Sequence, residues 1–395
     1  MNAAKAVIPF WLKSAMLWIL AFCLLCIMLA FLVPSRWLSA ADGVNGSLRV
    51  LVTKLAAFLP SAENPDVVVM GSSLVLTPAV RCDDKLAGKV PCYERWYYDR
   101  YIPEYTESVY FEKKLKDDAG LHLKIKNLGV ASSIMSDQFG IFRLMLNEKK
   151  QPKLLILGLA PRDFLDNTQQ HHLETPTRQF IREYEQDSLW PEKWSATEIK
   201  NTATKVEHKL EKVIAKVRTT ALSLACNLSG HQARAEYNVN GYEGDHPNRL
   251  KDLETYRRLY NPPNYTMLAQ QSSYLRKLLV AAANHNVRVL IVNMPLTKEN
   301  IACLDAHAYQ EYVASLKSLS SEFNAGFLDI GSQQRESYSL ADFEDCCHLN
   351  ARGGEKFYES LSASILADQK IVSSLKGKTS ARQSIAADPA KSLAQ

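Results

Sequence analysis

Five short apolar runs, rich in branched aliphatics and each closed by Gly, Pro or Asp, punctuate the chain: "DVVVMG" (66–71), "LKIKNLG" (123–129), "KLLILG" (153–158), "VRVLIVNMP" (287–295) and "AGFLDI" (325–330). Near-continuous apolar runs suit strands buried on both faces, which means a parallel sheet covered by helices. Between them the pattern changes to a helical period and predicts helices at about 107–117, 134–148, 267–284, 306–323 and 352–366. The expected fold is α/β, a doubly wound, flavodoxin-like parallel sheet.

Three stretches fall outside that alternation. Between the third and fourth runs lies an insertion at about 165–265, where Ser195 and Glu198 form a capping-box signature and Ile199, Ala203, Val206, Leu210, Val213, Val217, Ala221 and Leu224 make a heptad-like stripe. Such a stripe packs on its own domain, docks a membrane partner, or closes as a lid, and the pattern alone does not separate these. A short amphipathic connector is expected at about 47–59. From about 370 onward the chain is rich in Ser, Ala and Lys without a sustained apolar period, which predicts a disordered tail to 395.

The N-terminus is different again. From Ala15 to Val33 "AMLWILAFCLLCIMLAFLV" carries no charge, close to the ~20 residues a helix needs to cross the hydrocarbon core. A membrane helix at 15–34 is the expectation; Lys5 and Lys13 before it hold residues 1–14 in the cytoplasm and send the connector (35–62) and the main domain (63–369) to the extracytoplasmic, periplasmic side. The alternative is a cleaved signal peptide, since Ser39-Ala40-Ala41 has the small-x-small form of a cleavage site, although signal cores usually run about 7–15 residues.

Composition adds exclusions rather than a function. With 395 residues, 47% hydrophobic and 23% charged, the chain is an ordinary globular one. Its net charge of +5 is spread without a dense basic cluster, so nucleic acid is not an expected partner. Cys23 and Cys26 lie in the apolar run; Cys82 and Cys92 bracket a short loop that a disulfide could staple in an oxidising compartment, and Cys226, Cys303, Cys346 and Cys347 have no readable pairing. No spacing of a zinc knuckle is present, so no metal or cofactor is expected. Tyr93, Trp96, Tyr97, Tyr98, Tyr101, Tyr105 and Tyr110 crowd one stretch, which suits either sugar stacking, a membrane interface, or an aromatic mini-core.

Candidate chemistry sits at strand ends, where open α/β sheets place their sites. Ser72 and Ser73 follow the first run, and "DFEDCCHLNARGGEKF" near the other end carries Asp345 and His348 three residues apart. That spacing lets a carboxylate orient an imidazole whose other nitrogen faces a hydroxyl. Taken alone, Ser73 is also the residue type that caps a helix after a strand.

Gly71-Ser72-Ser73-Leu74, Gly129 in "NLGVASS" and Asp345-Cys346-Cys347-His348 with Leu349-Asn350 resemble, in this order, blocks of the SGNH (GDSL-type) hydrolase superfamily. The resemblance covers about 64–160 and 286–366. It implies Ser73 as nucleophile, His348 as base, Asp345 as its orienter, and the Ser73 and Gly129 N–H groups as oxyanion donors. The family's third block usually reads G-x-N-D, but here it is Gly158-Leu159-Ala160-Pro161-Arg162-Asp163; Arg162 is the candidate to replace the missing Asn, or else it pairs with Asp163 or a neighbour.

The "GSS" form, the single N-terminal apolar helix and the serine-first order are also similar to the membrane-anchored proteins of teichoic-acid D-alanylation. "YRRLYNPPNYTMLAQQSSYLRKLL" and "VRVLIVNMPLTKEN" resemble uncharacterised cyanobacterial membrane-anchored proteins. These likenesses imply a serine esterase or O-acyltransferase acting on an envelope glycan or its acyl donor beside a membrane-bound O-acyltransferase. The rival expectation is a non-catalytic scaffold of the same fold in envelope polysaccharide assembly, favoured by the absent third-block Asn.

Overall fold

The computed structural model describes residues 46–89, 102–167, 175–186, 250 and 252–376. The chain clusters into two compact units, and almost all described residues belong to the one formed by 44–181 and 238–395. Of the other unit, 1–43 with 182–237, only 182–186 is described. The apolar run at 15–33, the predicted helix from Ser195, and Cys92 lie outside the described residues. Among the described residues no helix is long and apolar enough to cross a membrane.

All five apolar runs are strands: β1 (Val67–Gly71), β2 (Ile125–Asn127), β3 (Leu154–Leu159), β4 (Arg288–Asn293) and β5 (Gly326–Asp329). They form one parallel sheet in the order β2-β1-β3-β4-β5, the flavodoxin-like order whose crevice opens where β1 and β3 diverge. Val67, Val69, Leu154, Ile156, Leu290 and Val292 join one core cluster. Their alternates Val68, Met70, Leu155, Leu157 and Ile291 are fully buried too, because a pleated strand sends successive side chains to opposite faces and both faces are covered. Each such side chain contributes about 1.5–3 kcal/mol by leaving water.

The covering helices are α1 (Gly46–Phe58), α2 (Ser73–Leu86), α3 (Val109–Ala119), α4 (Met135–Asn147), α5 (Leu253–Tyr260), α6 (Tyr265–Asn284), α7 (Ala306–Glu322), α8 (Ala351–Ala367) and α9 (Gln369–Lys376). α8 packs on α2 and α3, and α6 packs on α4 and α7. Their ends follow local chemistry. Asn264, Asp305 and Asn350 accept from the third N–H of α6, α7 and α8 respectively, and Gly120 closes α3 in the left-handed conformation.

One expectation is corrected here: residues 370–376, expected in a disordered tail, lie in α9. Ile371, Val372 and Leu375 are buried, Asp368 Oδ1 accepts from the N–H groups of Lys370 and Ile371, and Lys153 Nζ donates to the Leu375 carbonyl. One turn of apolar stripe is too short to register as a period. Cys82, one of the two cysteines that a disulfide could have stapled, is a buried free thiol that packs against Gly354 of α8. Of the aromatic stretch, Tyr105 packs on Leu76, Val80 and Ile102 and Tyr110 on the main core, as a mini-core would.

Candidate active site

Three glycines let the first turn of α2 sit close against the sheet. A Cβ on Gly71 would lie 3.0 Å from the Val75 methyls, one on Gly129 2.7 Å, and one on Gly158 2.1 Å. Gly71 and Gly158 are register partners on β1 and β3. Val75 therefore drops into a hollow that only glycines leave open, and Ser72 and Ser73 are carried to the carboxyl end of β1. The two serines part there: Ser72 is 2% exposed, whereas Ser73, first residue of α2, is half-buried.

The partner loop precedes α8. Phe343 and Leu349 make an antiparallel bridge, the Glu344 N–H donates to the His348 carbonyl (2.8 Å), and the Asn350 N–H donates to the Asp342 carbonyl (3.1 Å). Asn350 Nδ2 adds bonds to the Ala341 and Phe343 carbonyls, and Thr297 Oγ1 donates to the Cys346 carbonyl at 2.7 Å. Arg81 Nε of α2 binds Glu344 Oε2 at 2.6 Å, with both side chains at most 2% exposed. This buried pair ties the serine's helix to the histidine's loop.

The structure brings Ser73, Asp345 and His348 together. Ser73 Oγ lies 2.7 Å from His348 Nε2, and His348 Nδ1 lies 2.6 Å from Asp345 Oδ2. The second carboxylate oxygen, Oδ1, accepts from the N–H groups of Cys347 (2.8 Å) and His348 (2.7 Å). Burial works to raise the Asp345 pKa, yet the charge and hydrogen bonds of His348 with the Cys347 N–H hold it down at about 2. Burial likewise works to lower the pKa of His348, and the charge and hydrogen bond of Asp345, helped by Glu344, outweigh it and raise it to about 9. Asp and His are thus a charge-assisted pair with the second imidazole nitrogen on the serine, the arrangement of a nucleophile, base and orienter.

On the expected oxyanion side, neighbouring side chains accept from two of the backbone N–H groups. The Gly129 N–H donates to Asn127 Oδ1 at 2.9 Å, while Asn127 Nδ2 donates to the Val75 carbonyl at 2.9 Å. A Cβ on Gly129 would also meet Asn127 Oδ1 and the Ser72 carbonyl, each at 3.0 Å. The Ala160 N–H is taken by Asp163 Oδ2 at 3.0 Å, and burial raises this fully enclosed carboxyl to about 7. Arg162 does not stand free as a replacement donor: its Nη2 pairs with buried Asp166 at 2.9 Å. The Ser73 N–H, at the first position of α2, belongs to the turn whose donors lack an intrahelical partner.

Arg81, Glu344, Asn127 and Thr297 belong to no motif in the sequence, although Glu344 adjoins the D-x-x-H run. For a metal, among the described residues Asp345, Cys347 and His348 are a set whose ligand atoms all lie within 4.8 Å of one another.

No family model matches the chain, and no curated protein matches it. Solved structures do. A candidate acylhydrolase from Bacteroides fragilis is similar at 12% identity and a TM-score of 0.37, over 83% of this chain and 98% of that one. An alpha/beta hydrolase enzyme from the metagenome of Lake Arreo, Spain, is similar at 12% identity and 0.38, over 78% and 97%. An acetylxylan esterase from Geobacillus stearothermophilus is similar at 11% identity and 0.34, over 77% and 94%. Likeness of this degree adds nothing to what the site's own geometry argues.

Proposed function

We propose that the protein is a serine esterase or O-acyltransferase in which Ser73, His348 and Asp345 act as a triad. The observation that carries the reading is the continuous chain from Ser73 Oγ to Nε2 and from Nδ1 to Asp345, at 2.7 and 2.6 Å. With His348 neutral, Ser73 Oγ attacks the acyl carbonyl, an O–C bond forms, and the hydroxyl proton passes to Nε2. The tetrahedral centre expels the donor's alcohol, which leaves with that proton. Water or an acceptor hydroxyl then gives its proton to His348, attacks the acyl-serine, and releases the acyl product with Ser73 restored.

The developing oxyanion falls to the Ser73 N–H and the positive end of α2. A second donor requires either Gly129 to exchange Asn127 for the substrate or a group from the residues around the crevice. Transfer in preference to hydrolysis, an envelope glycan or acyl-carrier substrate, a membrane-bound O-acyltransferase partner, and a single-pass anchor with the domain outside the cytoplasm belong to this proposal through the sequence resemblance and the apolar run at 15–33. Engagement of the Gly129 and Ala160 N–H groups by neighbouring side chains favours a second reading, a scaffold that keeps the triad without turnover.

The test is labelling of the full-length chain with a fluorophosphonate serine probe. Loss of labelling in Ser73→Ala and His348→Ala with retention in Ser72→Ala is the expected result. A folded wild-type chain that takes no label between pH 7 and 10 would sink the enzyme reading and leave the scaffold.

A further inference from the structure

We propose that Asp345, Cys347 and His348 form a binding site for a thiophilic divalent cation such as zinc, and that the bound ion switches the proposed triad off. The inhibitory half rests on the reading of His348 as the general base; the binding half does not.

The three ligands come from one tight turn, at positions i, i+2 and i+3. Cys347 Sγ lies 3.4 Å from His348 Nδ1, and Nδ1 lies 2.6 Å from Asp345 Oδ2. Bonds of about 2.0–2.3 Å at tetrahedral angles set ligand atoms roughly 3.3–3.7 Å apart. The sulfur and nitrogen already have that separation, the nitrogen–oxygen distance has to open by roughly 0.7 Å, and the sulfur and a carboxylate oxygen lie within 4.8 Å of each other. The carboxylate is anchored for this by its other oxygen, which accepts the Cys347 and His348 N–H groups, so Oδ2 can swing while Oδ1 stays bound. The Thr297 bond to the Cys346 carbonyl and the Arg81–Glu344 pair hold the turn around it.

An outer support is also in place. The Tyr256 hydroxyl of α5 lies 2.9 Å from Cys347 Sγ, where it donates to a metal-bound thiolate, the kind of second contact that orients ligands in metal sites. Entry is from the solvent side: the Asp345 and His348 side chains are 34% and 22% exposed, with Cys347 beneath them. A sulfur, a nitrogen and one carboxylate suit zinc, cobalt or cadmium and not calcium or magnesium, which take oxygen ligands.

The consequence for the base follows from proton accounting. The ion displaces the thiol proton to solvent and takes the place of the proton on Nδ1, which goes to solvent when the ring starts as imidazolium and moves to Nε2 when it starts neutral, with no change of oxidation state. A neutral imidazole metallated at Nδ1 carries its remaining hydrogen on Nε2, the atom that faces Ser73. Nε2 then has no lone pair to take the serine proton, and Asp345 is withdrawn from its role at the same time.

The test uses the full-length chain stripped with a chelator and titrated with Co²⁺ and Zn²⁺. A sulfur-to-cobalt charge-transfer band saturating at one ion per chain is expected, retained in Cys346→Ser and lost in Cys347→Ser, with at least a tenfold loss of affinity. Tyr256→Phe should weaken binding by a smaller factor and keep the band. In parallel, Zn²⁺ should abolish fluorophosphonate labelling of Ser73 over the same concentration range, with recovery on adding chelator. Absence of the band, or a band unchanged in a Cys347→Ser chain of native circular dichroism, overturns the site. A saturated band with labelling intact overturns the switch. If the metal-free chain never labels, the serine reading and the switch fall together, while the band still decides the site.

Discussion

The two sides of Ser73 are built to different degrees. On the base side the polar groups of the turn hold the imidazole toward the serine: Asp345 Oδ2 to the imidazole, Oδ1 to two backbone N–H groups, and the loop to α2 through Arg81 and Glu344. On the oxyanion side the groups that the family resemblance nominated turn inward. Gly129 gives its N–H to Asn127 and Ala160 gives its N–H to Asp163. Under the proposed function, proton transfer is preorganised, whereas the oxyanion falls to the Ser73 N–H with other donors to recruit, and loss of one oxyanion donor costs on the order of a hundredfold or more.

The comparison breaks first at Asp345. Asp345→Asn keeps the shape of the turn but offers the wrong partner to Nδ1–H, so the labelling rate of Ser73 should fall by about 10^4-fold, as when the orienting carboxylate of a serine triad becomes an amide. A loss under tenfold would mean that the base side is not what drives the serine. Next is Arg81→Met, which removes the guanidinium that Glu344 is buried against and should cost about 3–5 kcal/mol of stability in a denaturant titration. Arg81→Met with Glu344→Gln should regain part of that, since no charge is left uncompensated. Equal costs for the single and double variants would deny the pair its place in holding α2 to the loop.

What the sequence made legible follows from what each feature depends on. The central strands β1, β3 and β4 are legible because burial on both faces leaves continuous apolar runs, and the less buried edge strands β2 and β5 because Gly or Asp closes their shorter runs, while Asp345 and His348 fall together because three residues in a turn fix their separation locally. The Arg81–Glu344 pair could not, since its partners lie far apart in the chain and neither stands out from its neighbours in "AVRCDD" and "DFEDCC". Gly129 was assigned to an oxyanion from resemblance, while the packing demand on it comes from Val75, a contact across separate elements that no spacing encodes. Arg162 was weighed as a donor or an ion pair, and the pairing falls to Asp166, one helical turn on.

The pH dependence sharpens the contrast in rate. His348 is raised from 6.5 to about 9, so the neutral base grows about tenfold per unit well below that value, and labelling should rise about fiftyfold between pH 7 and 9 and level off above it. Stability runs the other way. The raised histidine contributes fully below 6.5 and loses its contribution as pH rises through about 9; the depressed Asp345 contributes above 3.8 and loses it as pH falls through about 2. The pair is thus most stabilising between about 4 and 6.5, where the base is least available. A labelling profile flat from pH 6 to 9 would contradict the coupling of His348 to Asp345.

The smallest effect tests whether the glycines serve packing or an oxyanion. A Cβ at residue 158 meets Val75 Cγ1 at 2.1 Å and Met294 Sδ at 3.0 Å, so Gly158→Ala should cost about 1–3 kcal/mol as an overpacked core. Val75→Ala removes the methyls that define the hollow and carries its own cavity cost. In that background Gly158→Ala should cost little or even help, which gives a coupling of about 1 kcal/mol or more between two residues in contact. Because α2 rides on this contact, Gly158→Ala alone should also shift Ser73 away from Nε2 and slow labelling, and Val75→Ala should restore part of the rate. Additive costs in stability with no recovery of labelling would show that the glycine is required by something other than Val75, and would reopen the oxyanion side as its reason.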